Sequence, residues 1–181
     1  MLNKKEKGFT LVETILAMTL TIVILGMIFQ MFNTNKKIIS YVDIKSTLQA
    51  EGRAIQENLS KIGMEASSID YIEDSLDSDY LVDDKQQKKV KLIKFTVLNE
   101  DSSRSEFEIK KQKNELYISE YRVIIIDGKE EKKKISTKKL SSNINKINIE
   151  VKENKSAQMD FTLSKKKIDY TVNVKVTFRN R

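Results

Sequence analysis

The sequence predicts an α+β protein in which a long N-terminal helix packs on a C-terminal antiparallel β-sheet. Three observations lead there. Residues 9–32 form an apolar run of 24 residues whose only charge is Glu13. Past Phe32 the apolar residues recur at helical spacings, and from residue 90 they alternate with polar ones at a period of two.

An apolar stretch of about 20 residues crosses the ~30 Å hydrocarbon layer as a helix, so residues 9–32 are read as a membrane span. Lys4, Lys5 and Lys7 precede it, and no basic residue follows until Lys36 and Lys37. That asymmetry favours a cytoplasmic N terminus and places the bulk of the chain outside. Residues 33–63 are read as the amphipathic continuation of the helix. No Pro interrupts them, and Ile38, Ile39, Val42, Leu48, Ile55, Leu59 and Ile62 recur at helical spacings. The helix is expected from about Thr10 to Ile62, its second half packed under a globular head. Gly52 is its weak point, worth up to ~1 kcal/mol against Ala, and Gly63 its stop.

Residues 64–89 are expected to be an acidic connecting loop. Glu65, Asp70, Glu73, Asp74, Asp77, Asp79, Asp83 and Asp84 fall within 65–84, where no basic residue occurs. Asp74, Asp77 and Asp79 offer the hard oxygen ligands calcium takes, but they lack the Asp-x-Asp-x-Asp-Gly spacing. A solvated loop with no metal is the expectation. Residues 90–181 are then the sheet, with Val90, Leu92, Phe107, Ile109, Ile147, Ile149 and Val151 as its apolar alternation. Lys113-Asn114 and Asp127-Gly128 are turn candidates, the second suited to a type I′ hairpin. From Ile168 to Phe178 the alternation is unbroken, so the last strand should have one core face and one solvent face. Glu130-Glu131-Lys132-Lys133-Lys134 reads as a solvated hairpin arm.

The 181 residues suffice for one globular domain beyond the N-terminal segment. Cys, His, Trp and Pro are all absent, which removes the commonest nucleophiles, metal ligands and near-neutral proton carriers. No spacing singles out Ser, Lys or paired carboxylates in their place, so neither an enzyme nor a cofactor is expected. The net charge of +7 falls to +5 if residues 1–8 are removed. A mild basic excess suits an anionic partner, but Lys, Asn and Ile are abundant throughout and the excess is read as compositional.

Gly8 and Glu13 do not fit an ordinary signal or anchor. A secretory signal is cut after its apolar region, at small residues, whereas cutting at Gly8 removes only the basic leader and keeps the helix. A carboxylate inside a membrane segment costs about several kcal/mol unless it is paired or protonated. No partner for Glu13 is expected within its own helix, so a cation from another chain or a newly exposed α-amino group should meet it.

These residues resemble the class III signal of type IV pilins and of the pseudopilins of type II secretion and competence systems. Gly8, Phe9 and Glu13 fall on that family's three functional positions, with Thr10-Leu11-Val12 matching the usual Thr-Leu-Ile/Val between them. The resemblance implies a type IV pilin-like fold and cleavage by prepilin peptidase after Gly8. It further implies N-methylation of Phe9 and pairing of Glu13 with a neighbouring subunit's N terminus. The subunit would be a single-pass protein of the inner (cytoplasmic) membrane with an extracytoplasmic head. An assembly platform and its ATPase would then draw it, with other pilin or pseudopilin subunits, into a pilus or pseudopilus at the cell surface. Major pilins often carry a Pro midway along the apolar segment; here Gly26 and Gln30 stand in that neighbourhood. The last strand with Phe178-Arg179-Asn180-Arg181 resembles the end of minor pilins and J-type (PilW-like, competence F-like) pseudopilins, which implies a minor component.

The alternative is an anchored binding module that contacts DNA during uptake or a secreted substrate. Tyr117 and Tyr121 beside Lys110, Lys111 and Lys113 would supply a base-stacking platform. The same residues serve as ordinary strand aromatics and as lysines that blunt sheet edges.

Overall fold

The computed structural model describes residues 10–74, 79–80, 88–99, 103–126, 129–152 and 155–178. One helix, α1 (Leu11–Glu65), is followed by β1 (Ser68–Asp74), β2 (Asp79–Tyr80), β3 (Lys88–Leu98), β4 (Arg104–Gln112) and β5 (Glu115–Ile126). Then come β6 (Lys129–Ser141), β7 (Ile144–Lys152), β8 (Ser156–Lys165) and β9 (Ile168–Thr177). The α+β arrangement is the one expected, a long helix on an antiparallel sheet.

The chain divides into two compact units, Met1–Asp43 and Ile44–Arg181. In the first, the described residues are all helical except Thr10, and all are exposed. α1 is helical without interruption through Gly26 and Gln30. Ile38, Ile39 and Val42, expected beneath the head, are 53%, 61% and 54% exposed; the packed stripe begins only at Ile44.

In the second unit that stripe consists of Ile44, Leu48, Gly52, Ile55, Leu59, Ile62 and Gly63. The steps of three and four residues between most of them keep one helix face inward. The two glycines correct the sequence reading. A Cβ on Gly52 would stand 2.5 Å from Val172 Cγ2 and 2.7 Å from Tyr170 Cε1. One on Gly63 would collide with both γ-methyls of Val176 and stand 2.9 Å from its Cβ. Gly52 is thus a point of close approach to β9, and Gly63 a second one three turns on. The helix continues past Gly63 to Glu65, and the chain passes directly to the sheet, with Ala66 N–H donating to Ile62 O (2.7 Å) and Ser67 N–H to Thr96 O (2.8 Å).

The sheet runs β6-β5-β4-β3-β7-β8-β9, with β1 paired to β3 and β2 to β1. Every pairing is antiparallel. β3 joins the two halves: Lys88 and Lys89 pair with Ile149 and Asn148 of β7, and Leu92–Leu98 with β4. Along β3 the expected alternation of Val90 and Leu92 breaks. Opposite β1, Glu73 meets Leu92 and Asp74 meets Val90, so Lys91 is an extra residue, a β-bulge. The main core accordingly takes Val90 and then Ile93, Phe95 and Val97, while Leu92 is buried outside it.

A second irregularity explains why 64–89 looked like a loop. Ile69 pairs with Phe95 and Tyr71 with Lys94, leaving Asp70 as the extra residue. Ile69 and Ile72 are both buried, three residues apart where a regular strand would space them by two, so the period-two signal is absent. β1 and β2 therefore occupy part of the expected connector. Asp77, Asp83 and Asp84 lie outside the described residues, and among those described no group of three potential metal ligands gathers.

Phe107 packs against the core, Ile109, Ile147, Ile149 and Val151 lie within it, and Val172, Val174 and Val176 line the inner face of β9 as their alternation predicts. Phe178 follows, its ring 6.3 Å from that of Phe95. Lys113-Asn114 turns between β4 and β5, with Lys113 at φ 55°. Asp127 and Gly128 lie outside the described residues, between the paired Ile126 and Lys129. The β8–β9 turn went unseen because Lys166 (φ 48°) and Lys167 (φ 66°) adopt it without the usual Asn or Gly. Residues 130–134 belong to the long strand β6, exposed and lysine-rich as edge strands often are.

The Gly63 contact yields a test. Gly63→Ala forces a methyl into Val176 and should cost about 2 kcal/mol by overpacking, lowering the melting temperature of the chain in detergent by about 4–8 °C. Gly26→Ala, where nothing lies within 4 Å, should leave that transition in place. Equal melting of the two variants would refute a packing role for Gly63.

Candidate functional site

Thr10 and Glu13 close the start of α1 on each other. Thr10 N–H and Thr10 Oγ1 both donate to Glu13 Oε2, each at 2.9 Å, and Glu13 N–H returns to Thr10 Oγ1 at 3.3 Å. This is a capping box, Thr-x-x-Glu, in which side chain and backbone satisfy each other's orphan donors. The first helical bond follows, Thr14 N–H to Thr10 O at 3.2 Å. The expectation that Glu13 has no partner in its own helix is therefore corrected. The signal was legible, since a Thr three residues before a Glu at the head of an apolar run is the sequence form of that cap. Both donors use Oε2, and no described residue engages Oε1. Gly8 and Phe9 lie outside the described residues.

Beyond the cap, the helix presents apolar side chains on every side. Leu11 is 78% exposed, Leu16 70% and Phe29 67%. No part of its most apolar stretch is buried within the chain, and α1 is long and apolar enough to cross a membrane. Its hydroxyls are satisfied locally: Thr19 Oγ1 donates to Ile15 O and Thr21 Oγ1 to Ala17 O, both at 2.8 Å, and Thr14 Oγ1 to Thr10 O at 3.3 Å. In lipid, where no water can serve a free donor, such back-bonding lets threonine stand in an apolar span.

The tyrosine and lysine platform of the alternative reading assembles only in part. Lys110 pairs across from Tyr117 and Lys111 from Leu116, so alternation puts Lys110, Tyr117 and Tyr121 on one face and Lys111 on the other. Tyr117 O–H donates to Glu115 Oε2. That bond pushes the phenol pKa up and, with a further one from Lys139 Nζ at 2.9 Å, holds the Glu115 carboxyl below its usual range.

Residues 3–29 match the prokaryotic N-terminal methylation motif. Searches of curated proteins and of solved structures found no match to the chain. The motif is the class III signal of type IV pilins and pseudopilins, so over residues 3–29 the chain is similar to that family.

The cap itself can be measured. Thr10→Val removes a hydroxyl that both accepts from the Glu13 amide and donates to its carboxylate, and should cost about 1 kcal/mol of first-turn stability. Amide hydrogen exchange at Val12, Glu13 and Thr14 in micelles should then quicken about fivefold; unchanged exchange would mean that Thr10 does not hold the turn.

Proposed function

We propose that this chain is a minor subunit of a type IV pilus or pseudopilus. It is cut between Gly8 and Phe9, methylated on Phe9 and drawn from the membrane into the fibre through α1. The observation that carries the reading is the conjunction of the methylation motif at 3–29 with a helix that leaves its apolar side chains uncovered from Leu11 to Phe32. A surface of that kind must be covered by lipid or by other helices, and a pilin exchanges the first for the second. The head lies on the outer side of the cytoplasmic membrane, as the lysines of the leader favour.

Glu13 is assigned to assembly. In the single chain its carboxylate is held by Thr10, and Oε1 remains open to an outside donor among the described residues. The α-amino group of a neighbouring subunit's Phe9 is the cation proposed to reach it. Two charges desolvated together add little net stability, but leaving either unpaired costs about 3–5 kcal/mol, so the pair sets register along the fibre.

Glu13→Ala should insert into the membrane and be cleaved normally, yet enter fibres at a small fraction of the wild-type level, as scored by immunoblot of sheared fibres. Incorporation equal to wild type would remove Glu13 from the assembly role. Gly8→Val should keep its leader, so that intact-mass analysis of the membrane fraction returns the full 181-residue chain; a mature mass for this variant would place the cut elsewhere.

A further inference from the structure

Part of α1 is covered neither by lipid nor by the head. Residues 9–32 suffice to cross the hydrocarbon layer, and the stripe that packs on the sheet begins at Ile44. Between them the helix continues without a break, and its side chains are exposed throughout. They are not uniformly polar. Met31, Phe32, Ile38, Ile39 and Val42 stand at i, i+1, i+7, i+8 and i+11, one face of an α-helix, with Asn35 in the middle of it. Asn33, Thr34, Lys36, Lys37, Ser40 and Tyr41 take the other side. Val42 and Ile44 are two places apart, on nearly opposite sides of a helix with about 3.6 residues per turn, so this face is not the beginning of the packed stripe. It is a second apolar face, and Ile38, Ile39 and Val42 carry it beyond the lipid.

An apolar face outside lipid calls for another apolar surface against it, and Asn35 selects which surface. An entirely apolar helix would bury its amide without a hydrogen bond, which costs free energy. A second copy of this chain does not impose that cost. Copies held in one membrane by the same span run in the same direction, so these faces meet in parallel. In register, Asn35 lies against Asn35 of the other copy, and an amide, being donor and acceptor at once, pairs with its like. Shifted along the helix, the same amide would face Phe32, Ile38 or Ile39. A single polar residue in an apolar parallel seam fixes register and the number of helices in this way. We propose that two copies of this chain pair in the membrane through residues 31–42 of α1, in parallel and in register, with Asn35 setting the register. The pair rests on the reading of α1 as a membrane span and needs neither cleavage nor a fibre.

The chain has no cysteine, so a single introduced cysteine can form a disulfide only between copies. The full 181-residue chain, purified and reconstituted in phosphatidylcholine vesicles away from any peptidase or assembly machinery, is oxidised and read on a non-reducing gel. Ile39→Cys and Val42→Cys should give a dimer band, because a disulfide forms only where Cα atoms approach within about 7 Å. Lys37→Cys and Ser40→Cys, on the other side of the helix, should stay monomeric. Added to Ile39→Cys, Asn35→Asp should abolish the dimer band by setting two carboxylates against each other, whereas Asn35→Gln, which keeps the amide, should retain it. All these side chains are exposed, and an unchanged melting transition of the head checks that none of the substitutions acts through folding. Equal cross-linking at all four positions, or none at residues 39 and 42 in vesicle-bound chain, overturns the proposal, as does a dimer band that Asn35→Asp leaves intact. A chain that does not float with the vesicles overturns the membrane reading itself, a separate failure, and the pair falls with it.

Discussion

The backbone of α1 approaches β9 at Gly52 and Gly63, and the architecture of the head follows from that approach. The two positions are eleven residues apart, about three helical turns, and so lie on nearly the same face. With no Cβ at either, Val172, Tyr170 and Val176 can rest on the helix itself. Ile55, Leu59 and Ile62 then meet the sheet core. A polar clamp works beside this contact: Ser141 Oγ and Asn143 Nδ2 donate to the two oxygens of Glu51 at 2.6 and 2.8 Å, tying the β6–β7 connection to the helix.

The same helix satisfies different demands along its length. From Thr10 to Val42 its residues are exposed, and its hydroxyls bond to carbonyls one turn back. Its first turn is closed by Thr10 and Glu13. A helix complete in its own hydrogen bonds and apolar on its outside can lie in lipid or against other helices with no change of local structure. That property is what the proposed passage from membrane to fibre requires.

Charge is distributed in the head with comparable economy. Asp70, Arg104, Glu106 and Lys132 link β1, β4 and β6, with Arg104 3.1 Å from Asp70 and Lys132 2.6 Å from Glu106. Lysines along β6 guard a long edge strand against pairing.

By itself the sequence determined what depends on local order. The apolar run, the capping Thr10 and Glu13, the class III signal and the unbroken alternation from Ile168 to Phe178 all reside in neighbours along the chain, and periodicity or motif spacing carries them. Tertiary structure decided what depends on the partner across a contact. Whether Gly52 and Gly63 weaken and stop a helix or admit a strand turns on Val172 and Val176, more than a hundred residues away. β1 was illegible because the bulge at Asp70 erases the period of two, and the bulge at Lys91 shifts the inward face of β3, yet both exist only in register with another strand.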